Sequence, residues 1–268
     1  MSKPSIFRKQ IIMPTEHGSW AWLLVPFFVG AVVAGHFNFP VLLTLLGGLA
    51  GFFMRQPATV WLRVQRGKAR RADGPLAAGW TAVFATIALI CLTGLFILER
   101  GRLLWLLFPL ALIFPGYLLA ARYGRAGLRS LGMELSGAVA LSLMAPAAAL
   151  AANGSFQGWM WGLWGLMALQ NLLGAFYVRL RIFDTHAKPI NRAGIVGYHG
   201  LGLILALVGA GMAVVPWLTA VPFAAFFARS LWAAAQVRPV SNVKKFGFTE
   251  LGIAILSGAW IAASYWLA

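Results

Sequence analysis

The sequence predicts an all-α fold, a polytopic helical bundle in a membrane with about nine transmembrane helices. Three observations carry this reading. The chain is 60% hydrophobic and only 10% charged, with a mean hydropathy of +0.80, which leaves too little polar surface to cover a soluble globule of 268 residues. Apolar runs long enough to cross a ~30 Å hydrocarbon core recur along the whole length. Lys and Arg collect in every second connection between those runs, as the positive-inside rule requires. The whole of 1–268 therefore reads as a single transmembrane domain.

The expected spans are roughly 18–35, 39–60, 76–98, 102–121, 128–152, 157–180, 194–214, 215–236 and 249–267, each of membrane-crossing length. Lys3, Arg8 and Lys9 before the first span resemble the start of a secretory signal. The many apolar spans that follow favour an uncleaved first membrane helix. With the N-terminus inside, the inner connections hold Arg63, Arg66, Lys68, Arg70 and Arg71; Arg122, Arg125 and Arg129; Arg179, Arg181, Lys188 and Arg192; and Arg238, Lys244 and Lys245. The outer ones hold only Arg100 and Arg102. The expected location is the cytoplasmic membrane, with the N-terminus inside and the C-terminus outside. Trp20, Trp22, Trp61, Trp80, Trp159, Trp217, Tyr265 and Trp266 fall near span ends, where an interfacial belt would put them.

The net charge of +16 could suit a nucleic-acid partner. Its placement in short clusters between apolar spans argues for topology instead, so no nucleic acid is expected. Cys91 is the single cysteine, in the middle of an apolar run, and reads as a small packed hydrophobe. The four histidines show no HxxxH or HExxH spacing, so no metal site is expected. A Walker loop, a dinucleotide fingerprint and a GxSxG elbow are also lacking.

The densest charge lies in "RQPATVWLRVQRGKARR", from Arg55 to Arg71. If a helix continues past Pro57, then Arg55, Thr59, Arg63, Arg66 and Arg70 share a stripe within about 80°. Arg55 and the adjacent Gln56 lie furthest inside the apolar span. An arginine there needs an anionic partner, a wet cavity or a route to the headgroups. The alternative is a basic loop that only fixes topology.

Polar groups entering the apolar spans are few. Glu16 and His17, in "PTEHGSW", read either as a helix start capped by Thr15 or as a proton-accepting or ligand pair. Glu134 lies about two turns into the fifth span, with Ser130 and Ser142 on nearly the same face. Its carboxylate there would be protonated or paired, with Arg55 and Arg229 as candidate partners. Arg229 could equally snorkel to the inner headgroups. Glu250 follows Thr249 at the expected start of the last span and reads as a capping residue. Asp73 reads as a turn residue and Glu99 as an outer surface charge. In "QNLLGAFYVRLRIFDTHAKPINR", Gln170, Tyr177, Arg181 and Asp184 share one helical face, and Asn171 and Arg179 another. Arg181 and Asp184 could form an i, i+3 pair. The amides of Gln170 and Asn171 need partners, from a neighbouring helix or a polar cavity.

"MPTEHGSWAWLLVP" opening the first span, "FFMRQPATVWLR" ending the second, "RSLGMELSGAVALS" opening the fifth and "GFTELGIA" opening the last resemble the YwiC-like membrane protein family, over nearly the whole chain. The layout is similar, more distantly, to the UbiA superfamily of intramembrane prenyltransferases. That resemblance implies a UbiA-like bundle with the N-terminus inside and acidic motifs after the second and sixth helices holding Mg²⁺ against a prenyl diphosphate. Here 55–71 and 179–192 occupy those places, but no carboxylate lies between Arg55 and Arg71, and the second segment keeps only Asp184. Mg²⁺ ions bridging a diphosphate would lack oxygen ligands, so the magnesium mechanism does not carry over and no cofactor is expected.

Arginine forks bind phosphate oxygens without a metal, so Arg55, Arg63 and Arg179 or Arg181 could hold an anionic headgroup. One reading is thus a cytoplasm-facing intramembrane cavity for a prenyl or phospholipid phosphate, with or without transferase chemistry. A second is a transporter or channel for a small anion or solute, lined by Arg55, Glu134 and the amides. A third is an assembly factor that takes no ligand.

Overall fold

In a computed structural model of the chain, the residues described are 8–12, 19–110 and 131–268. The expectations for Thr15, Glu16, His17, Arg122, Arg125, Arg129 and Ser130 lie outside them. Among the described residues the regular elements are all helical. Besides 3-10 turns at Arg71–Asp73, Gly101–Leu106 and Trp217–Thr219, they include α1 (Lys9–Ile12), α2 (Ser19–Ala34), α3 (Phe39–Gln65), α4 (Gly74–Ile97), α5 (Leu131–Leu141), α6 (Met144–Asn153), α7 (Trp159–Thr185), α8 (Arg192–Gly211), α9 (Ala220–Ala235) and α10 (Val243–Trp266).

These helices divide between two compact units. The first contains 8–12 and 37–101, the second 19–36 with the described residues from 102 onward. In the first unit, α3 and α4 pair along their length and α1 packs on both. Asn38 starts α3 by accepting the Val41 N–H at 3.2 Å. The helix continues unbroken past Pro57, as membrane helices often do. It ends at Gly67, whose φ of +66° suits glycine, with the Lys68 N–H donating back to the Arg63 carbonyl at 2.8 Å. The expected arginine stripe is therefore cut short. Arg55, Thr59 and Arg63 lie on the helix, while Arg66 caps it and Arg70 lies beyond.

In the second unit, α2 packs on α6 and α10, α8 on α9, and α7 on α5, α6, α8 and α10. Leu163, Met167, Phe223 and Ile261 form its fully buried centre. Small residues set the closest approach. A Cβ added to Gly30 would lie 2.0 Å from the Ala145 carbonyl oxygen. The fifth expected span is broken between α5 and α6, and Pro146 is the cause, since its ring clashes with the carbonyl of Ser142 in a continuous helix. Asn242 starts α10 by accepting the Lys245 N–H at 2.9 Å, well before the Thr249 expected to open that span.

Six of the described helical segments are long and apolar enough to cross a membrane: Phe39–Gln65, Arg71–Ile97, Leu131–Asn153, Arg192–Gly211, Trp217–Ala235 and Val243–Trp266. Ser19–Ala34 is apolar but only 16 residues long. The sixth expected span is present as α7, whose 27 residues carry the polar positions that lower its hydropathy. The fourth begins as a short apolar helix, Gly101–Leu110, and the rest of that expected span lies outside the described residues. Exposed Leu89, Ile90, Phe96 and Ile97 on α4 are the surface a hydrocarbon solvent would wet.

Candidate functional site

The polar side chains of the second unit converge at the end of the bundle that carries its basic loops. The deeper layer is an ion pair between α9 and α10. Arg229 Nη2 donates to Glu250 Oε2 at 2.8 Å and Nη1 to Oε1 at 3.3 Å, a two-pronged grip with both side chains mostly buried. The Arg229 guanidinium lies 3.6 Å from the centre of the Tyr177 ring on α7. Tyr177 is only 3% exposed, packed with Leu180, Ile195 and Ala233.

The outer layer is a clamp on the connection between α9 and α10. Asp184 is buried at the end of α7; its Oδ1 pairs with Arg192 and its Oδ2 accepts the Arg238 N–H at 3.0 Å. Arg192 also donates to the carbonyls of Ala233 and Gln236, both at 3.0 Å, at the C-terminal end of α9 where a cation is favoured. Thr185 accepts the Val240 N–H at 2.8 Å. Together they fix the chain from Gln236 to Val240 on α7.

Arg181 joins the layers. Its Nη1 donates to the Tyr177 hydroxyl at 3.0 Å and its Nε to the Arg238 carbonyl at 3.1 Å. Its guanidinium lies 5.5 Å from the Phe246 ring and 5.8 Å from that of Trp232. Every hydrogen-bond and ring partner of Arg181 among the described residues is neutral, whereas Asp184 and Glu250 are each hydrogen-bonded by another arginine. Nη2 makes no hydrogen bond there. The site can thus offer an anion one oriented, partly buried guanidinium edge, with Arg238, Lys244 and Lys245 near the rim of the same end.

The model of the YwiC-like protein family matches residues 13–149, half of the chain. The chain belongs to the YwiC-like family. A Bacillus subtilis (strain 168) protein described as "Uncharacterized protein YwiC" is 27% identical over 230 residues, covering 84% of this chain and 90% of that one. No solved structure matches. The YwiC-like segment contains Arg55, Gln56, Arg63 and Glu134, while the cluster from Tyr177 to Glu250 lies beyond it.

Of the residues expected to bind, Tyr177, Arg181, Asp184 and Arg229 come together in this YwiC-like protein, and the pairing differs from expectation. Asp184 takes Arg192 rather than Arg181, because Arg192 approaches from the start of α8. Arg229 does not reach past the helix end for headgroups, since Glu250 meets it at the same depth. Glu250 is no cap; it lies two turns inside α10. Glu134 has Arg179 at 3.9 Å, and Arg179 also lies 4.8 Å from the Phe183 ring.

The amides lie deeper. Gln170 donates to the Ala254 carbonyl at 3.1 Å, one turn beyond Glu250 along α10, and its Oε1 is buried without a partner among the described residues. Asn171 donates to Ser142 Oγ at 2.8 Å and to the Trp22 carbonyl at 3.2 Å, so it ties α7 to α2 and to the break before α6. His199, fully buried, faces the Ile195 carbonyl with Nδ1 at 2.8 Å, so that nitrogen carries the proton.

In the first unit, Arg55 lies 5.6 Å from the Phe52 ring with Gln56 beside it on α3, and Arg63 donates to the Lys68 carbonyl at 3.3 Å. Arg8 pairs with Asp73 at 2.6 Å, which makes that turn residue the tie between the segment before α1 and the α3–α4 connection. Both were legible singly, as a basic N-terminus and a turn aspartate, but nothing in the spacing paired them.

Proposed function

We propose that this integral membrane protein binds the phosphate of an anionic lipid, phospholipid or prenyl, at the basic end of the second unit, with Arg181 as the principal contact. The observation that carries the reading is the partnering of Arg181. Its neighbouring carboxylates are already matched, and a guanidinium held only by a phenol, a carbonyl and aromatic faces keeps its charge for a ligand. Arg238, Lys244 and Lys245 add attraction of about 1 kcal/mol each near an anionic surface. The acyl or prenyl chain lies along the apolar helix faces, and the basic end faces the cytoplasm. Arg55, Gln56 and Arg63 in the first unit are a further set of anion contacts. A transfer reaction on the bound lipid would follow the UbiA-like reading, without its metal motifs.

Native mass spectrometry of protein purified in mild detergent tests this. An anionic lipid adduct is expected on the wild type and should be largely lost in Arg181→Lys, because an ammonium keeps the charge but not the fork. Equal adduct on wild type, Arg181→Lys and Arg181→Ala would reject the site.

The transport reading has one observation in its favour, the buried Gln170 Oε1, which has no partner among the described residues and lies one turn deeper than the ion pair. Ion or solute flux in proteoliposomes that disappears in Gln170→Leu would move the balance to it.

A further inference from the structure

Glu250 and Arg229 take no direct part in the anion contact just described, yet they are costly groups to place inside a membrane-spanning pair. The contacts around them form a chain. Glu250 holds both terminal nitrogens of Arg229, which fixes the guanidinium plane. The guanidinium carbon lies 3.6 Å from the centre of the Tyr177 ring, and the Tyr177 hydroxyl accepts from Arg181 Nη1 at 3.0 Å. Phe246, one turn before Glu250 on α10, lies 6.4 Å from the Tyr177 ring and 5.5 Å from Arg181. One helix thus supplies both the carboxylate that orders the deeper arginine and the ring that flanks the outer one.

We propose that Glu250 and Arg229 are positioning residues for the anion site, acting on Arg181 through Tyr177; the inference rests on the lipid-binding reading above. A free arginine side chain loses much rotamer entropy when it grips a phosphate. Holding Nη1 on a ring that cannot tilt removes part of that loss before the ligand arrives, and leaves Nη2 as the open donor. The rival account is plain electrostatics. Glu250 also interacts with Arg181 through its charge, so its presence would simply oppose an anion.

The two accounts give opposite signs. Glu250→Gln removes a negative charge. Electrostatics alone then predicts tighter binding of an anionic lipid, and positioning predicts weaker binding because Arg229 is released from its plane. Tyr177→Phe changes no charge, keeps the ring under Arg229 and removes only the hydroxyl.

The experiment uses the full chain in phosphatidylcholine nanodiscs titrated with phosphatidylglycerol. The ratio of the two lipids retained is read by native mass spectrometry on monodisperse protein. A merely structural role would change yield or melting without moving that ratio. Tyr177→Phe is expected to weaken phosphatidylglycerol selectivity about five-fold, the equivalent of one hydrogen bond of about 1 kcal/mol. Glu250→Gln is expected to weaken it as well. Unchanged selectivity in Tyr177→Phe, or tighter binding by Glu250→Gln, overturns the proposal even where Arg181→Ala abolishes retention. Retention that survives Arg181→Ala overturns the lipid site itself, and the positioning role with it.

Discussion

Arg229 lies over the Tyr177 ring, 3.6 Å from its centre, while Glu250 holds both terminal nitrogens of the same guanidinium. Removing one partner of such a buried pair leaves an uncompensated charge, at a cost of about 3–5 kcal/mol. Glu250→Ala and Arg229→Ala should therefore each lower the melting temperature in detergent sharply. Replacing both, as Arg229→Met with Glu250→Leu, should cost less than either alone. A double variant as unstable as the sum of the singles would mean that the pair is not coupled.

Helix contact in the second unit depends on the absence of a side chain at Gly30. A methyl there would meet the Ala145 backbone at 2.0 Å, and backbone cannot move aside as a flexible side chain can. Gly30→Ala is expected to destabilise by at least the ~1–3 kcal/mol typical of overpacking. Gly137→Ala, where a Cβ meets nothing within 4 Å, is the control and should be close to neutral in the same thermal unfolding assay.

Asn171 bonds to Ser142 Oγ and to the Trp22 carbonyl. Interhelical hydrogen bonds in membranes average about 0.6 kcal/mol, with a ceiling near 1.7. Asn171→Leu should thus cost roughly 1–2 kcal/mol in unfolding by denaturing detergent. Ser142→Ala should cost less, since Asn171 keeps the Trp22 carbonyl. Equal losses in the two variants would show that the Ser142 contact carries the whole effect.

The orientation proposed above makes its own prediction. An alkaline phosphatase fused after Ala268 should be active and a green fluorescent protein fused there dark, because Lys and Arg favour one side at each turn. The opposite result would require an even number of crossings.

Most of the helical skeleton was legible from hydropathy. Expected 39–60, 76–98 and 194–214 correspond to Phe39–Gln65, Gly74–Ile97 and Arg192–Gly211. The last helix was read as starting too late because Lys244, Lys245 and Gly247 lower the hydropathy of its first turns, and the Asn242 cap outweighs them. That shift hid the pairing of Glu250. Counted from the observed ends, Arg229 lies six residues before the end of α9 and Glu250 seven after the start of α10, so they sit at equal depth on successive helices. The positions of Arg181, Asp184 and Arg192 were legible, but their partners were not. An i, i+3 rule compares residues on one helix, whereas the carboxylate was reached from the next helix and from the α9–α10 connection. Nor could periodicity show the break at Ser142, although Pro146 marked where one could occur.

Asp184 offers the last test, because it holds two elements at once. Its side chain is 3% exposed; Oδ1 takes Arg192 and Oδ2 takes the Arg238 N–H. Asp184→Asn preserves shape and removes the charge, and one of its two acceptors becomes a donor. Either the Arg192 contact or the Arg238 amide must then lose its partner. Hydrogen bonds to charged groups are worth about 1.5–3 kcal/mol, so the amide of Arg238 should exchange with deuterium roughly 10- to 100-fold faster. Arg192 still has the Ala233 and Gln236 carbonyls, so α9 itself should keep its protection. The loosened connection carries the Arg238 carbonyl that receives Arg181 Nε, so lipid retention should fall along with the protection. Faster exchange with unchanged lipid retention would separate the clamp from the anion site. Unchanged exchange at Arg238 would show that Asp184 does not hold the connection at all.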